Sequence, residues 1–536
     1  MFVKSMVHVL LGTPQNQYPM FSAELNIPVV NKMLSSLSCT VAHAHAHHSE
    51  AMVHAIDEQP ICVWPTWDKL LARTRNLSLS IVSFFFFFDQ FFFSDGEVGW
   101  VEFLKGYSNC CAMTIGSASF NNLFRLFAMV SSEAGLPAKL QFGSEDDDNK
   151  VSGYLLPVDL LMLLWMCWVM WWDCKKLNCG ESSGDSGLPD VTNLVWSAVE
   201  SCAEEGGKLD SWECNVLETS VQLPAGKITM WALKTVPNLT DCLSHFVHAR
   251  LSHSANLEGK STQPGPFVFD VSPKENSISN LITCGRAWAI SLTLRGTMCD
   301  EISKACFPSS ADDLNDLILY RSSVHGKGLT RFWSNVEGYN APLLILIAAY
   351  EPKNEERKWI IGALVNQGLE SKDSFYGTSG SLYAISPVFN VFISSGKEKN
   401  IVYSHLHPTV KMYEPRPKPV GLAFGGSLGH ERIFLEEDFA GVTIRHHAAD
   451  RTYQHGSLFA GQGFLTHEAS VLDVEVWGLG GKKAKETQTA YKKREELFTE
   501  QRRKVDLKTF GNWEDSPEKM MMDMITDPNA VRREDR

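Results

Sequence analysis

Thirteen consecutive apolar residues, Leu160-Leu-Met-Leu-Leu-Trp-Met-Cys-Trp-Val-Met-Trp-Trp172, leave this chain few ways to fold. A run without a polar face has to lie in a protein core or in a bilayer. As a helix it reaches ~20 Å, short of the ~30 Å hydrocarbon core, and Asp159 and Pro157 block its extension toward the N-terminus. The expectation is a core helix buried on all sides, and no transmembrane span. A chain of 536 residues, 44% hydrophobic and 21% charged, has the material for such a core, and its length suits roughly two to four domains. The formal charge of −13 argues against a general nucleic-acid binder, which needs a basic face.

The thirteen cysteines all lie at or before Cys306 and form no C-x-x-C pair. They read as reduced thiols of a cytoplasmic protein, with the nucleus as the other compartment, and mostly as small core residues. Residues 1–93 show no sustained period. The tract Val41–His48 alternates histidine with alanine, without an acidic or thiolate partner to fix a metal geometry. Phe84–Phe93 holds eight phenylalanines in ten residues, which match neither a helix nor a strand. That run reads as a translated pyrimidine-rich tract, so residues 1–93 are expected to lie outside the working fold.

From residue 94 the texture changes. Ser94-Asp-Gly-Glu-Val-Gly-Trp-Val-Glu102 resembles the second half of an EF-hand loop: Gly96 fits the sharp turn, Val98 the apolar position and Glu102 the bidentate ligand. The first two ligand positions would be Phe91 and Phe93, leaving Asp95 and Glu102 as a residual metal pair. A second echo, Ser144–Leu155, has Asp146 and Asp148 but ends on leucine where calcium needs a carboxylate. Residues 94–176 are therefore expected to be a degenerate EF-hand-like helical region without calcium or any other cofactor. Residues 177–270 read as a Gly/Ser-rich linker at Asn178–Leu188, helical patterns over Val191–Leu257 and a loop at Ser252–Pro266.

Beyond residue 271, short runs of strand length alternate with turn residues. They are Ala287–Leu294, Pro342–Tyr350, Trp359–Val365, Val388–Ile393, Pro419–Phe424 and Leu472–Trp477. Such a series suits antiparallel sheets packed face to face, and an α+β chain overall. These runs carry four ordered blocks: Leu319-Tyr-Arg-Ser-Ser-Val-His-Gly-Lys-Gly-Leu329; Ile361–Val365 with Phe375–Tyr383; Leu422–Leu435; and Asp473–Gly480. Together they resemble the TLDc family, placing a TLDc domain at 271–481. With the EF-hand-like segment, the resemblance extends to lysosome-associated EF-hand/TLDc proteins and their plant relatives. It implies a C-terminal β-sandwich with flanking helices and no agreed catalytic centre. It also implies roles in oxidative-stress protection and in regulating the vacuolar proton-ATPase, as a protein partner at the endolysosomal membrane surface. The myristoylatable glycine of that branch has no counterpart in Met1-Phe2-Val3.

An enzymatic alternative rests on Gly425-Gly-Ser427-Leu-Gly429, a formal G-x-S-x-G match followed by His446, His447, Asp450 and His455. A nucleophile elbow needs a helix after the serine, whereas Glu431–Glu437 reads as a strand. His405 and His407 could share one strand face toward a metal, but no third ligand is evident. The tail, residues 482–536, reverses the overall charge: residues 482–508 hold ten Lys/Arg against five Asp/Glu. Ala484, Tyr491, Phe498 and Val505 recur every seven residues, joined by Leu497. They form a narrow apolar stripe on a charged helix, and Tyr491, Leu497, Phe498 and Val505 are the residues expected to meet a partner.

Overall fold

In the computed structural model, the described residues are 116–133, 138–143, 151–179, 188–202, 210–256, 281–306, 317–406, 418–459 and 461–511, with 519, 521, 522 and 525. Residues 1–93, and the loop with Asp95 and Glu102, lie outside them.

The apolar run governs the N-terminal half. It lies in α2 (Pro157–Cys179), which follows α1 (Ser117–Glu133) and a hairpin of β1 (Leu140–Phe142) and β2 (Val151–Leu155). Every residue from Leu160 to Trp172 is buried. The Pro157–Lys175 window is long and apolar enough to cross a membrane, but 89% of it is buried inside the protein. It shares one hydrophobic core with α3 (Thr192–Cys202), β3 (Leu223–Pro224, which completes the small sheet), α4 (Ala225–Thr235), α5 (Asp241–Asn256), α6 (Cys284–Ser291) and α7 (Thr297–Ser303). The rings of Trp168 on α2 and Trp288 on α6 meet edge to face at 5.7 Å, a favoured aromatic geometry.

Three expectations are corrected here. The second EF-hand echo, expected as part of a helical unit, ends in a strand: Val151–Leu155 pairs with β1, and Leu155 is fully buried. Ala287–Leu294 is not a strand, because α6 runs through it with Thr283 capping the Arg286 amide. The loop read at Ser252–Pro266 starts later, since α5 continues to Asn256.

The C-terminal half is one antiparallel sheet of eleven strands. The first strand is β4 (Ile318–Arg321), followed by α8 (Ser322–His325) and α9 (Leu329–Val336). Then come β5 (Leu343–Glu351), β6 (Asn354–Val365), β7 (Lys372–Tyr376), β8 (Gly380–Ser386), β9 (Asn390–Ile393) and β10 (Val402–His405). The series ends with β11 (Gly421–Phe424), β12 (Ile433–Glu436), β13 (Gly441–Ile444) and β14 (His467–Gly478), and α10 (Gly481–Gly511) closes the described chain. The order across the sheet is β7-β10-β11-β12-β13-β14-β5-β6-β8-β9, with β4 also on β14. The sheet curls, so that both its halves feed one core: Ile345, Ile347 and Ile361 from one, Val402, Leu422 and Leu435 from the other. The expected sandwich is thus a single curled sheet.

The central strands are buried on both faces. Along β5, Leu343, Ile345, Ile347 and Ala349 point into the curl, while Leu344, Leu346 and Ala348 join the core of the helical region. This explains why β5 reads as an unbroken apolar run rather than an alternating one. Polar stitches fix the same contact. Asn193 at the start of α3 donates to the Ile385 carbonyl at 2.9 Å, and its own carbonyl accepts from the Phe389 amide at 3.1 Å. Glu475 on β14 is fully buried; it pairs with Arg321 at 3.0 Å and accepts from the Trp477 indole at 3.0 Å and the Leu281 amide at 3.1 Å.

Candidate interaction surface

The four sequence blocks meet in space. In the opening block, Ser322 and Ser323 turn off β4 into α8 and donate their hydroxyls to Asp473 of the closing block. The Ser323 amide reaches the same carboxylate at 3.0 Å. A bulge in β14 between Val471 and Asp473 aims Asp473 at this turn. Lys327 completes the join by donating to the Val471 carbonyl at 3.0 Å.

The glycine-rich block is the turn between the antiparallel strands β11 and β12. Gly425 and Gly426 adopt φ of 69° and 80°, and a side chain on either would strike Asp450 or the His430 backbone. Asp450 accepts from the Gly426 amide at 2.9 Å and faces Arg432 at 3.6 Å, both side chains buried. Arg432 in turn donates to the carbonyls of Gln454 and Gly456, and lies 4.8 Å over the Phe392 ring. Asp450 is therefore a partner of the turn. Ser427 is exposed at its tip with a strand following, and no hydrogen bond joins its hydroxyl to a histidine among the described residues. The strand–turn–helix of a nucleophile elbow is not formed there.

The histidines are dispersed between two places. His405 faces the Pro419 carbonyl at 3.3 Å, and His407 lies outside the described residues. His446 stacks on the exposed Phe464 at 4.1 Å and lies beside His447, which meets His455 edge to face at 5.2 Å. Burial, helped by its charged and imidazole neighbours, pulls His447 below the usual histidine range. Among the described residues no group of three His, Cys, Asp or Glu side chains suits a metal ion.

The surface with the clearest capacity for recognition is α10. Its 31 residues span ~46 Å at helical rise, and its two halves differ. The first half is anchored on the end of α9. The Gly480 amide donates to the Tyr339 hydroxyl at 2.8 Å, and Gln488, almost fully buried, donates to the carbonyls of Asn335 and Glu337 at 2.8 and 3.1 Å. Lys492 adds a bond to Asn335 at 2.9 Å. These acceptors are the carbonyls that a helix leaves unpaired at its C-terminus, where a cation is also favoured. Burial against α9 lowers the Lys492 ammonium from its usual range, with Glu337 opposing the shift. Tyr491 rests on Gly338 and donates to Glu337 at 3.2 Å.

The second half is free. Every residue from 493 to 504 is exposed, with five Lys/Arg against three Glu. Leu497 and Phe498, 52% and 56% exposed, stand side by side among them. Tyr491 thus belongs to the anchor, while Leu497 and Phe498 project beyond it; the side chain of Val505 lies outside the described ones. The heptad spacing identified the stripe but not this division. The anchor's own residues, Gln488 and Gly338, carry no sequence signal because their partners are about 150 positions away.

Gly338 sets the fit. Its φ is 79°, and a Cβ there would come within 2.4 Å of the Tyr491 ring. Gly338→Val is expected to unseat the first half of α10 at a cost of about 2–3 kcal/mol, from left-handed strain and the lost packing together. Limited proteolysis should then cut between residues 482 and 494, a segment protected in the parent. An unchanged cleavage pattern would show that Tyr491 does not hold the helix.

A curled antiparallel sheet, without a metal cluster among its described residues and carrying a charged helix whose second half is exposed, makes a β-rich scaffold. The comparison with protein families makes the class specific: residues 291–480 match the family described as the TLDc domain. The chain carries a TLDc domain there, over about a third of its length, and that family suggests a regulatory role connected with oxidative stress. The match spans β4 through β14 and reaches the foot of α10. No curated protein matches the chain.

Proposed function

We propose that the protein is a non-catalytic regulator that works by docking α10 and its TLDc scaffold onto a protein partner, the vacuolar proton-ATPase. It would act from the cytoplasm, peripherally on vacuolar or lysosomal membranes, without calcium or another cofactor. One observation carries this reading: residues 493–504 are held away from their own domain with Leu497 and Phe498 exposed. Two adjacent large apolar side chains on an isolated helix suit the helix-in-groove mode of recognition. The surrounding excess of Lys and Arg would speed the approach to an acidic surface. The TLDc resemblance supplies the identity of the partner.

The test is co-sedimentation of the full chain with membranes bearing the proton-ATPase, with pump activity read in the same tubes. Leu497→Asp with Phe498→Asp is expected to weaken binding by at least about a hundredfold, since two apolar anchors at such a site are worth about 2 kcal/mol or more each. The anchored residues are untouched, so the fold should be retained. Equal binding by parent and double variant would remove α10 as the docking element. Binding by neither would remove the proposed partner.

A further inference from the structure

Cys284 and Cys306 form a facing pair that the docking reading does not use. Cys284 is the first residue of α6; Cys306 ends the short 3-10 turn, Lys304–Cys306, that follows α7. Each thiol points at the other's backbone: Cys284 Sγ lies 3.9 Å from the Cys306 carbonyl oxygen, and Cys306 Sγ lies 3.5 Å from the Cys284 carbonyl oxygen. Reciprocal contacts of this kind require the two side chains to lie alongside one another between their Cα atoms. A disulfide needs the same facing arrangement, with Cα atoms about 4.4–6.8 Å apart. No disulfide joins the described cysteines.

The two thiols differ in access. Cys284 is half-buried at the protein's edge, whereas Cys306 is buried. Burial, reinforced by the Cys284 side chain, pushes the Cys306 thiol well up, so Cys306 is the poorer target for an oxidant in solution.

We infer that Cys284 and Cys306 are an oxidisable dithiol that closes to a disulfide when a hydroperoxide reaches Cys284. In the first step the Cys284 sulfur attacks the terminal peroxide oxygen, the O–O bond breaks, and the alcohol (or water) leaves with the thiol proton. Cys284 is then a sulfenic acid. In the second step the Cys306 sulfur attacks that sulfur, the S–O bond breaks, and the departing hydroxide takes the Cys306 proton as water. Two thiols lose two electrons and two protons, and one hydroperoxide is reduced to an alcohol and water. The bond ties the start of α6 to the segment that leads into β4, closing the loop that holds α7. This inference stands apart from partner docking.

The sequence allows a clean readout. Trypsin cleaves after Arg286 and Lys304, so Cys284 and Cys306 fall on separate peptides, Glu275–Arg286 and Ala305–Arg321, each with a single cysteine. Cys299 lies on a third, Gly296–Lys304. The full chain would be treated with hydrogen peroxide, alkylated, digested and measured by mass spectrometry. The expected result is near-complete, one-for-one loss of the two free peptides and appearance of their linked form, lighter by two hydrogens and reversed by dithiothreitol. In Cys306→Ser, the same treatment should leave Cys284 as a sulfenic acid trapped by dimedone. Full alkylation of both cysteines after peroxide, a link from Cys284 to Cys299 instead, or absence of the dimedone adduct would each overturn the inference.

Discussion

Glu475→Leu should lower the folding stability of the full chain by about 2–4 kcal/mol at neutral pH, because it leaves the Trp477 indole and the Leu281 amide without their acceptor. The carboxylate and the Trp477 side chain are both fully buried, so water cannot take over the missing acceptor. The leucine also removes the carboxylate that Arg321 faces at 3.0 Å. The pH dependence carries a second signature. Burial raises the Glu475 carboxyl above its ordinary range, with Arg321 pulling the other way. A carboxyl raised in the folded state binds protons more tightly there than in the unfolded chain, so its contribution is full below about pH 4.3 and declines as pH rises through the folded-state value. Urea unfolding at a series of pH values should show this downward slope in the parent and lose it in E475L. An unchanged midpoint at neutral pH would mean that the buried acceptor holds nothing together.

A fragment beginning at residue 317, which keeps the whole sheet and α10, should aggregate where the full chain stays soluble. Removing the helices uncovers Leu344, Leu346, Ile360, Leu364, Tyr383 and Ile385, all buried in the core they share with the helical region. At about 1.5–3 kcal/mol for each large side chain returned to water, the loss is on the order of 10 kcal/mol, as large as the whole stability of an ordinary domain. Size-exclusion chromatography decides the matter. A monodisperse, monomeric fragment would mean that the helical region is an independent attachment.

The sequence was most legible where a pattern had one cause. The Leu160–Trp172 run could only be buried, and α2 buries all of it. Of the TLDc blocks, the glycine-rich one was readable because it serves a local turn whose geometry restricts the residues, as Gly425 and Gly426 do between β11 and β12. Ala287–Leu294 misled because it happens to alternate. In α6 nearly every side chain is buried, so the helical period that would have contradicted a strand is absent. Ser144–Leu155 misled through its aspartates, which suggested an EF-hand-like helical unit where Val151–Leu155 is a strand. The division of α10 into an anchored and a free half could not be read at all. Tyr491 and Phe498 occupy equivalent places on the stripe, and only the end of α9, distant in sequence, distinguishes them.

That division also has a mechanical meaning. Held to the end of α9, α10 can tilt only together with it, as a rigid rod ~46 Å long whose far tip moves by about 0.8 Å for each degree of tilt about Gly481. Glu301 of α7 lies beside that pivot, 3.1 Å from where a Gly481 side chain would start. α10 is thus a lever arm whose fulcrum touches the helical region, and a small shift of α7 would be magnified into several ångströms of travel at its tip.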